Sequence, residues 1–314
     1  MKATRESYGN TLALLGETDE SIVVLDADLS GSTKTAVFGK KFPDRFFNCG
    51  IAEGNMMSVA AGLAASGKTV FASSFAMFAT GRAYEQIRNS ICYPHLNVKI
   101  AASHAGLSVG EDGATHQCIE DISIMRSIPG MTVICPADDA EACAAIKAAA
   151  EYDGPMYIRL GRLAVPDVYT PETCNFKLGK GDVIIDGSDV TIVATGLMVA
   201  EAIKAAELLK NDGISAAVIN ISTIKPIDSE LLAKYAAKTG CIVTAEEHNV
   251  YGGLGSAVCE SLCDIDPMPV PVVRVGVNDV FGLSGKAREV LEYFGLSAEN
   301  IADKAKVAIS RKSK

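Results

Sequence analysis

Two histidines and an aspartate share one glycine-rich region of the chain. His104 precedes Gly106–Gln117, which reads Gly-Leu-Ser-Val-Gly-Glu-Asp-Gly-Ala-Thr-His-Gln and contains Asp112 and His116. Two imidazoles and a carboxylate can move protons and bind hydroxyl groups. The same side chains can also ligate a divalent metal ion, although their spacing matches no compact motif. Two of the chain's four histidines lie here, which favours a functional loop over a merely solvated one.

Three further segments place polar or aromatic side chains after predicted strands, where ligands bind in doubly wound sheets. Asp28 follows one strand, and Glu53 begins a predicted helix. A carboxylate there also has a simple structural role, because it interacts favourably with the helix dipole. Phe75 and Phe78 are three residues apart, a spacing that by itself indicates core packing. Taken singly, none of these residues identifies a site.

The elements that must position these residues alternate along the whole chain. Short β-branched runs are followed by alanine-rich helical stretches, which predicts mainly parallel sheets covered by helices on both faces. The fold class is therefore α/β, with two three-layer αβα domains. Residues 1–165 form the first predicted domain, 166–182 a linker rich in proline, threonine and glycine, and 183–314 the second domain.

The individual elements follow from the same alternation. Predicted strands are 21–26, 69–72, 97–101, 131–135, 156–159, 190–194, 216–220, 241–245 and 270–275. Predicted helices are 54–66, 82–91, 138–151, 198–212, 229–238 and 255–262.

Composition excludes several classes of protein. The net charge is −9 and no basic residues cluster, which argues against nucleic-acid binding. Nine cysteines are scattered without CxxC spacing, a pattern typical of reduced thiols in a cytosolic protein. The longest apolar stretch, near residues 57–65, is too short to span a bilayer. We therefore expect a cytoplasmic protein with neither nucleic-acid nor membrane partners.

Taken together, these segments resemble the pyrimidine-binding and C-terminal domains of transketolase over essentially the whole chain. The most specific are Gly50–Glu53 (Gly-Ile-Ala-Glu), Phe71–Phe78 (Phe-Ala-Ser-Ser-Phe-Ala-Met-Phe) and Gly110–Gln117 (Gly-Glu-Asp-Gly-Ala-Thr-His-Gln). In the second half, Glu246-Glu247-His248 with Gly252–Gly255 is also similar to the family.

The resemblance implies thiamine diphosphate as cofactor. It assigns Glu53 a hydrogen bond to N1′ of the aminopyrimidine ring, and it assigns Phe75 and Phe78 to stack on that ring. Asp28 corresponds to an aspartate near the cofactor. The family's third aromatic position falls on Gly81 here, so the ring pocket is smaller or is completed by another residue.

The resemblance also implies the substrate contacts. Alongside Glu53, it gives His104 and His116 catalytic roles, and with Asp112 these histidines contact sugar hydroxyls or the reacting carbonyls. The expected sugar-phosphate ligands are Arg5, Ser32, His104 and Arg159. Arginine suits phosphate because its planar fork donates two parallel hydrogen bonds. The flanks of Arg159 depart from the family pattern, and Arg162 is close enough to replace or assist it.

Full-length family members carry an earlier domain whose Gly-Asp-Gly segment and downstream asparagine hold Mg²⁺ and the cofactor's diphosphate. This chain starts at the pyrimidine-binding domain. The resemblance therefore implies that the ligands of Mg²⁺ (or Ca²⁺) lie on a separate N-terminal subunit. It further implies an α2β2 assembly in which this chain also contacts its own copy, and transfer of a two-carbon ketol unit from a ketose phosphate to an aldose phosphate, as in pentose phosphate metabolism.

Three alternatives stay open. The chain also resembles 1-deoxyxylulose-5-phosphate synthase and the beta subunits of 2-oxoacid dehydrogenases. The Asp-Gly-x-Thr-His segment at 112–116 argues against the beta subunits because it suits polyhydroxylated substrates. A non-catalytic regulatory subunit with the same fold is the third alternative. The identities of donor and acceptor sugars do not follow from the residues.

Overall fold

The computed structural model describes residues 1–264 and 270–312. Its strands in chain order are β1 (Ile22–Asp26), β2 (Phe46–Asn48), β3 (Thr69–Ser73), β4 (Val98–Ala102), β5 (Thr132–Ile134), β6 (Met156–Arg159), β7 (Asp182–Ile185), β8 (Val190–Ala194), β9 (Ala216–Asn220), β10 (Thr223–Lys225), β11 (Ile242–Asn249) and β12 (Val272–Val277).

The α-helices in chain order are α1 (Thr4–Thr18), α2 (Ser30–Thr33), α3 (Ala36–Lys41), α4 (Glu53–Ala65), α5 (Tyr84–Gln86), α6 (Asp121–Arg126), α7 (Asp139–Glu151), α8 (Met198–Asn211), α9 (Ser229–Thr239), α10 (Leu254–Cys263), α11 (Ala287–Tyr293) and α12 (Ala298–Ser310). Tighter 3₁₀ turns occur at Pro43–Arg45 and Leu107–Asp112, and wider π-helical turns at Met77–Arg82 and Ile87–Cys92.

Two sheets organise the described residues. The first has strand order β10-β5-β6-β4-β3-β1-β2, and the second has order β12-β11-β8-β9-β7. Pairing is parallel except at one edge of each sheet, where β10 runs antiparallel to β5 and β7 antiparallel to β9. The predicted fold class, two αβα domains with mainly parallel sheets, is confirmed.

The first sheet is covered on both faces, because alternate residues of each strand point to opposite sides. Val23 and Leu25 of β1 pack with Met56 and other residues of α4. Their neighbours in the strand, including Ile22, pack against Tyr8 of α1 on the opposite face. Each such fully buried aliphatic side chain contributes about 1.5–3 kcal/mol to folding. The two layers thereby fix the sheet on which the candidate site is built.

The parallel register aligns the carboxyl ends of the central strands. Asp26 at the end of β1 pairs with Ser73 at the end of β3, and Ala102 of β4 pairs with Arg159 of β6. Segments that follow these strands therefore emerge at one edge of the sheet, where doubly wound folds bind ligands.

Most predicted elements match the structure within a few residues. The structure also has elements that were not predicted, namely β2, β7, β10, α1, α2, α3, α6, α11 and α12. In α1 two glycines and several polar residues weaken the periodic pattern, and packing on the sheet through Tyr8 and Leu12 stabilises the helix instead. The predicted helix 82–91 is short α5 between two π-helical turns.

The second half of the chain contributes to the first sheet through β10 (Thr223–Lys225), which pairs with β5. The coil between β6 and β7 spans the region of the predicted linker. The exact boundaries at 165–166 and 182–183 stay predictions. Within the described ranges, no helix is both long and apolar enough to cross a membrane.

Candidate active site

Glu53 is the first residue of α4, and its side chain is 3% exposed. Arg82 Nη1 lies 3.3 Å from each of its carboxylate oxygens. Ser74 Oγ donates a longer hydrogen bond of 3.4 Å to Oε1. Gly50, with a positive φ of 70°, turns the chain from β2 into the helix. A buried carboxylate thus stands at a helix N-terminus, where the dipole favours negative charge.

The aromatic pair and both site histidines contact one another. Phe75 and Phe78 have ring centroids 5.9 Å apart. Phe75 stacks on His104 at 3.8 Å, and Phe78 meets the edge of His116 at 5.2 Å. The guanidinium of Arg82 lies over the Phe78 ring, 4.3 Å from its centroid. The structure therefore brings together residues from the segments after β3 and β4, as their place at one sheet edge requires.

His104 lies on a strained turn with φ of 59° and is buried. Its Nδ1 is 2.8 Å from Ser103 Oγ, and its Nε2 is 3.4 Å from Arg5 Nη1. Burial, reinforced by the positive charges of Arg5 and Arg162, lowers the pKa of His104 to about 3. The imidazole is therefore neutral near pH 7 and can accept a hydrogen bond from a hydroxyl group.

Arg5 and Arg162 form a cationic pair beside His104. Arg5 Nη1 donates to the carbonyl oxygen of half-buried Ser32 at 2.9 Å. Burial and the nearby charge of Arg162 lower the pKa of Arg5. Both arginines line a cleft of about 590 Å³, which Lys286 and Arg288 also line together with the carboxylates of Glu111 and Glu289. An anion in this cleft would offset the repulsion between the two guanidinium groups.

Arg159, for which a phosphate contact was expected, lies in the interior and does not line this cleft. Arg159 is 5% exposed and donates to both carboxylate oxygens of Asp121, at 2.7 and 3.1 Å. It also donates to the carbonyl oxygen of Glu247 at 2.9 Å. The Asp121 carboxylate raises the pKa of Arg159 well above its usual value. The N–H groups of Arg159 therefore bond to buried groups of the interior. Arg162 is the arginine that faces the cleft.

The remaining predicted residues lie at the rim. Asp112 is 40% exposed, and its carboxylate is 3.8 Å from Arg162 Nη1. His116 is half-buried, with Nδ1 3.0 Å from Thr115 Oγ1. Asp28 is exposed, has a φ of 65°, and accepts a 3.1 Å hydrogen bond from Asn48 Nδ2. Their predicted roles toward cofactor and sugar stay predictions.

Sequence reasoning missed the contacts that the second domain makes with residues 104–117, called here the histidine loop. The buried Glu247 carboxylate accepts a 2.5 Å hydrogen bond from the backbone N–H of Ser108. Gln117 Nε2 donates to the carbonyl oxygen of Leu283 at 3.0 Å. Gly106 has a φ of 77°, and a Cβ there would lie 2.3 Å from the carboxyl carbon of Glu247. The available signal was the family-like Glu246-Glu247-His248 segment, which by itself indicates no particular contact.

Two surfaces of the site fit a flat, nitrogen-containing ring. The Glu53 carboxylate can accept a hydrogen bond from a ring nitrogen, and the half-buried Phe78 presents a face on which a ring can stack. The planar guanidinium of Arg82 already makes both kinds of contact. Among residues 1–264 and 270–312, no group of three or more histidine, cysteine, aspartate or glutamate side chains is placed to hold a metal ion.

Comparison with known families agrees with this geometry. Residues 1–167 match the family described as transketolase, pyrimidine binding domain, and residues 179–301 match the transketolase C-terminal domain. The fold and the site therefore define a protein with a pyrimidine-binding domain followed by a second α/β domain. The chain belongs to the transketolase family, and the resemblance noted in its sequence is confirmed.

Individual relatives show which part of such an enzyme the chain represents. It is 45% identical over 309 residues to the 6-deoxy-6-sulfo-D-fructose transketolase subunit SqwH of Clostridium sp. (strain MSTE9), covering 98% of this chain and 95% of that relative. It is 40% identical over 305 residues to one subunit of the apulose-4-phosphate transketolase of Phocaeicola vulgatus, covering 97% of each.

A solved structure described as a split gene transketolase, inactive beta4 tetramer, superimposes with a TM-score of 0.93. It is 55% identical, and the match covers 100% of both chains. The chain thus corresponds to the C-terminal subunit of a two-chain transketolase, a transferase.

Proposed function

We propose that this chain binds the aminopyrimidine end of thiamine diphosphate. With a separate N-terminal subunit, it then transfers a two-carbon ketol unit from a ketose phosphate to an aldose phosphate. The observation that carries the proposal is the buried Glu53 carboxylate at the start of α4, joined through Arg82 to the face of Phe78. The family supplies the cofactor class, and this pair of groups suits its ring.

When bound, thiamine diphosphate supplies the electron sink that carries the two-carbon unit between sugars. Glu53 would share or donate a proton at ring atom N1′, and burial keeps water away from that hydrogen bond. Phe75 and Phe78 orient the ring by stacking. Asp28 is exposed after β1, where it would contact the cofactor.

His104, Asp112 and His116 bind the sugar hydroxyls and the oxygens of the reacting carbonyls. Neutral His104 accepts a proton or a hydrogen bond on Nε2 once Arg5 engages the substrate. His116 lies against the edge of Phe78, so its ring is held close to the stacked aromatic surface. Both histidines thus donate or accept protons at the oxygens of the reacting carbonyls.

Arg5, Arg162 and Ser32 bind the anionic end of the sugar. Arg162 takes this role in place of Arg159, because it lines the cationic cleft and is 35% exposed. Two guanidinium groups match a phosphate, whose oxygens accept paired hydrogen bonds.

The partner supplies the other end of the cofactor. Oxygen ligands for Mg²⁺ (or Ca²⁺) and the diphosphate cradle belong to the N-terminal subunit, and two copies of each chain form an α2β2 enzyme. The proposal is supported by relatives that are themselves named as transketolase subunits and that align over 95% and 97% of their length.

A coupled transketolase assay tests this function. The chain is assayed alone and mixed with its partner, with Mg²⁺, thiamine diphosphate, xylulose 5-phosphate and ribose 5-phosphate. We expect activity only when the two chains are mixed. Full activity of the isolated chain would refute the two-subunit proposal, and an inactive mixture would refute the choice of donor and acceptor.

Substitution of Glu53 tests the role of that carboxylate. We expect Glu53→Gln to lower kcat of the mixture by about 10²–10⁴-fold, the usual contribution of a positioned proton-transfer group. The matched control is Glu85→Gln, which removes an exposed carboxylate from α5. Equal rates for Glu53→Gln and wild type would indicate a regulatory rather than a catalytic subunit.

A further inference from the structure

Arg82 joins the two groups that are proposed to hold the cofactor's ring. Its Nη1 lies 3.3 Å from both Glu53 oxygens, and its guanidinium carbon is 4.3 Å from the centroid of Phe78. The same guanidinium thus contacts both Glu53 oxygens and covers one face of the Phe78 ring. A ring that stacks on that face while it bonds to Glu53 must displace Arg82.

The guanidinium and an aminopyrimidine share the chemistry that these groups recognise. Each is flat, carries N–H donors in its plane, and can stack on an aromatic ring while it donates to a carboxylate. Two such groups cannot occupy the same carboxylate and the same ring face at once. Arg82 and the cofactor's ring therefore compete for Glu53 and Phe78.

The local backbone lets Arg82 reach this position and leave it. Arg82 is the last residue of the π-helical turn Met77–Arg82, and such turns are frequent at functional sites. The preceding Gly81 leaves room for the Met77 side chain, whose methyl carbon would lie 2.2 Å from a Cβ at that position. The Arg82 side chain is 53% exposed, so solvent screens its attraction to Glu53 and its guanidinium can move into water.

We propose that Arg82 is a placeholder for the cofactor's aminopyrimidine ring: it occupies Glu53 and Phe78 in the cofactor-free subunit and must swing into solvent before the ring binds. The inference rests on the proposed function and adds a regulatory step to that site. Arg82 in this role keeps the buried carboxylate paired until cofactor arrives, since an unpaired buried charge is strongly destabilising.

Cofactor affinity of the assembled complex tests the inference. Isothermal calorimetry measures the Kd of thiamine diphosphate at saturating Mg²⁺ without sugar, for wild type and Arg82→Met. We expect Arg82→Met to bind about two- to fivefold more tightly, because the competing ion pair is gone. The matched control is Arg88→Met, which removes the same charge from an exposed site on the neighbouring turn and leaves Kd unchanged.

Equal or weaker binding by Arg82→Met overturns the inference, because a residue that only braces Glu53 would weaken binding when removed. If Arg82→Met does not fold or assemble, Arg82→Gln decides in the same way, since glutamine also removes the charge that pairs with Glu53. Wild-type complex that binds no thiamine diphosphate refutes the proposed function and this inference together. Binding by wild type without a gain in the variants refutes the inference alone.

Discussion

His104 contacts an aromatic ring on one side and a cation on another. Phe75 stacks on it at 3.8 Å, and Arg5 Nη1 is 3.4 Å from its Nε2. Both neighbours disfavour the charged imidazolium, Phe75 by excluding water and Arg5 by repulsion. The pKa of His104 falls from 6.5 to about 3 for these reasons. A neutral imidazole can accept a hydrogen bond from a hydroxyl group at physiological pH.

This lowered pKa makes a prediction about stability. The unfolded chain takes up a proton on this residue near pH 6.5 and the folded chain near 3, so falling pH favours unfolding between those values. Between about pH 7.5 and 5.5, wild type should lose about 1.4 kcal/mol of unfolding free energy through His104. Urea unfolding at both pH values should show this loss reduced in His104→Gln. Equal losses in the two proteins would contradict the assignment.

Arg159 and Arg162 are three residues apart and have opposite environments. Arg159 is the last residue of β6 and pairs with Asp121, which is 0% exposed. Arg162 lies beyond the strand. Its side chain is 35% exposed, and it lines the same cleft as Arg5. The difference arises because β6 ends inside the domain interface, and the chain must leave the sheet before a side chain can face the cleft.

Substituting each arginine should therefore have separate effects. We expect Arg162→Met to raise KM for xylulose 5-phosphate about ten- to a hundredfold, as loss of a charge-assisted hydrogen bond does. Arg159→Met should instead destabilise the chain by about 3–5 kcal/mol, because Asp121 keeps a buried, unpaired charge. Steady-state kinetics and thermal unfolding measure the two effects. If Arg159→Met is stable but has a raised KM, Arg159 rather than Arg162 contacts the phosphate.

The histidine loop depends on the second domain for its shape. Its 3₁₀ turn at Leu107–Asp112 contains a non-helical glycine, Gly110, and so has little intrinsic stability. Contacts across the domain interface compensate, including Glu247 with Ser108 and Gln117 with Leu283. The C-terminal domain thereby positions residues that belong to the first domain's site.

Removing the Glu247 acceptor should loosen this loop. Glu247→Leu leaves the buried N–H of Ser108 unpaired, which destabilises by about 1–3 kcal/mol. We expect faster amide exchange across residues 104–117 and a lower kcat/KM of the assembled enzyme. Glu247→Gln keeps an oxygen acceptor and serves as the control. Unchanged exchange in Glu247→Leu would show that other contacts hold the loop.

At the level of the assembled enzyme, we propose that the site is divided between polypeptides. This chain contributes the aromatic, acidic and histidine groups at the carboxyl edge of its first sheet. The proposed partner contributes the diphosphate and metal ligands. Under this proposal neither set is sufficient, because each binds one end of the cofactor.

Titration with the partner tests this division. With this chain held constant, activity should rise linearly and reach a plateau at one partner per chain. Light scattering of the equimolar mixture should give the mass of two copies of each chain. A plateau at another ratio, or a mass other than this, would contradict the α2β2 assembly.

Much of this protein's fold and candidate site could be predicted from its sequence. The alternation of strands and helices depends on neighbours a few residues apart, so the fold class and most elements could be predicted. Glu53, Phe75, Phe78 and the histidine loop follow strands or open helices, and chain direction alone brings such segments to one edge of a parallel sheet. Their grouping was therefore foreseeable.

Other features were decided by tertiary structure. Three contacts join residues that are far apart in the chain. They are the Glu53–Arg82 ion pair, the buried Asp121–Arg159 ion pair and the hydrogen bond between Ser108 and Glu247, whose partners are 29, 38 and 139 positions apart. No local pattern encodes such contacts, because they depend on how strands register and how the two domains pack. Side-chain identity determined which groups could do chemistry, whereas packing determined which arginine faces the cleft and which is buried.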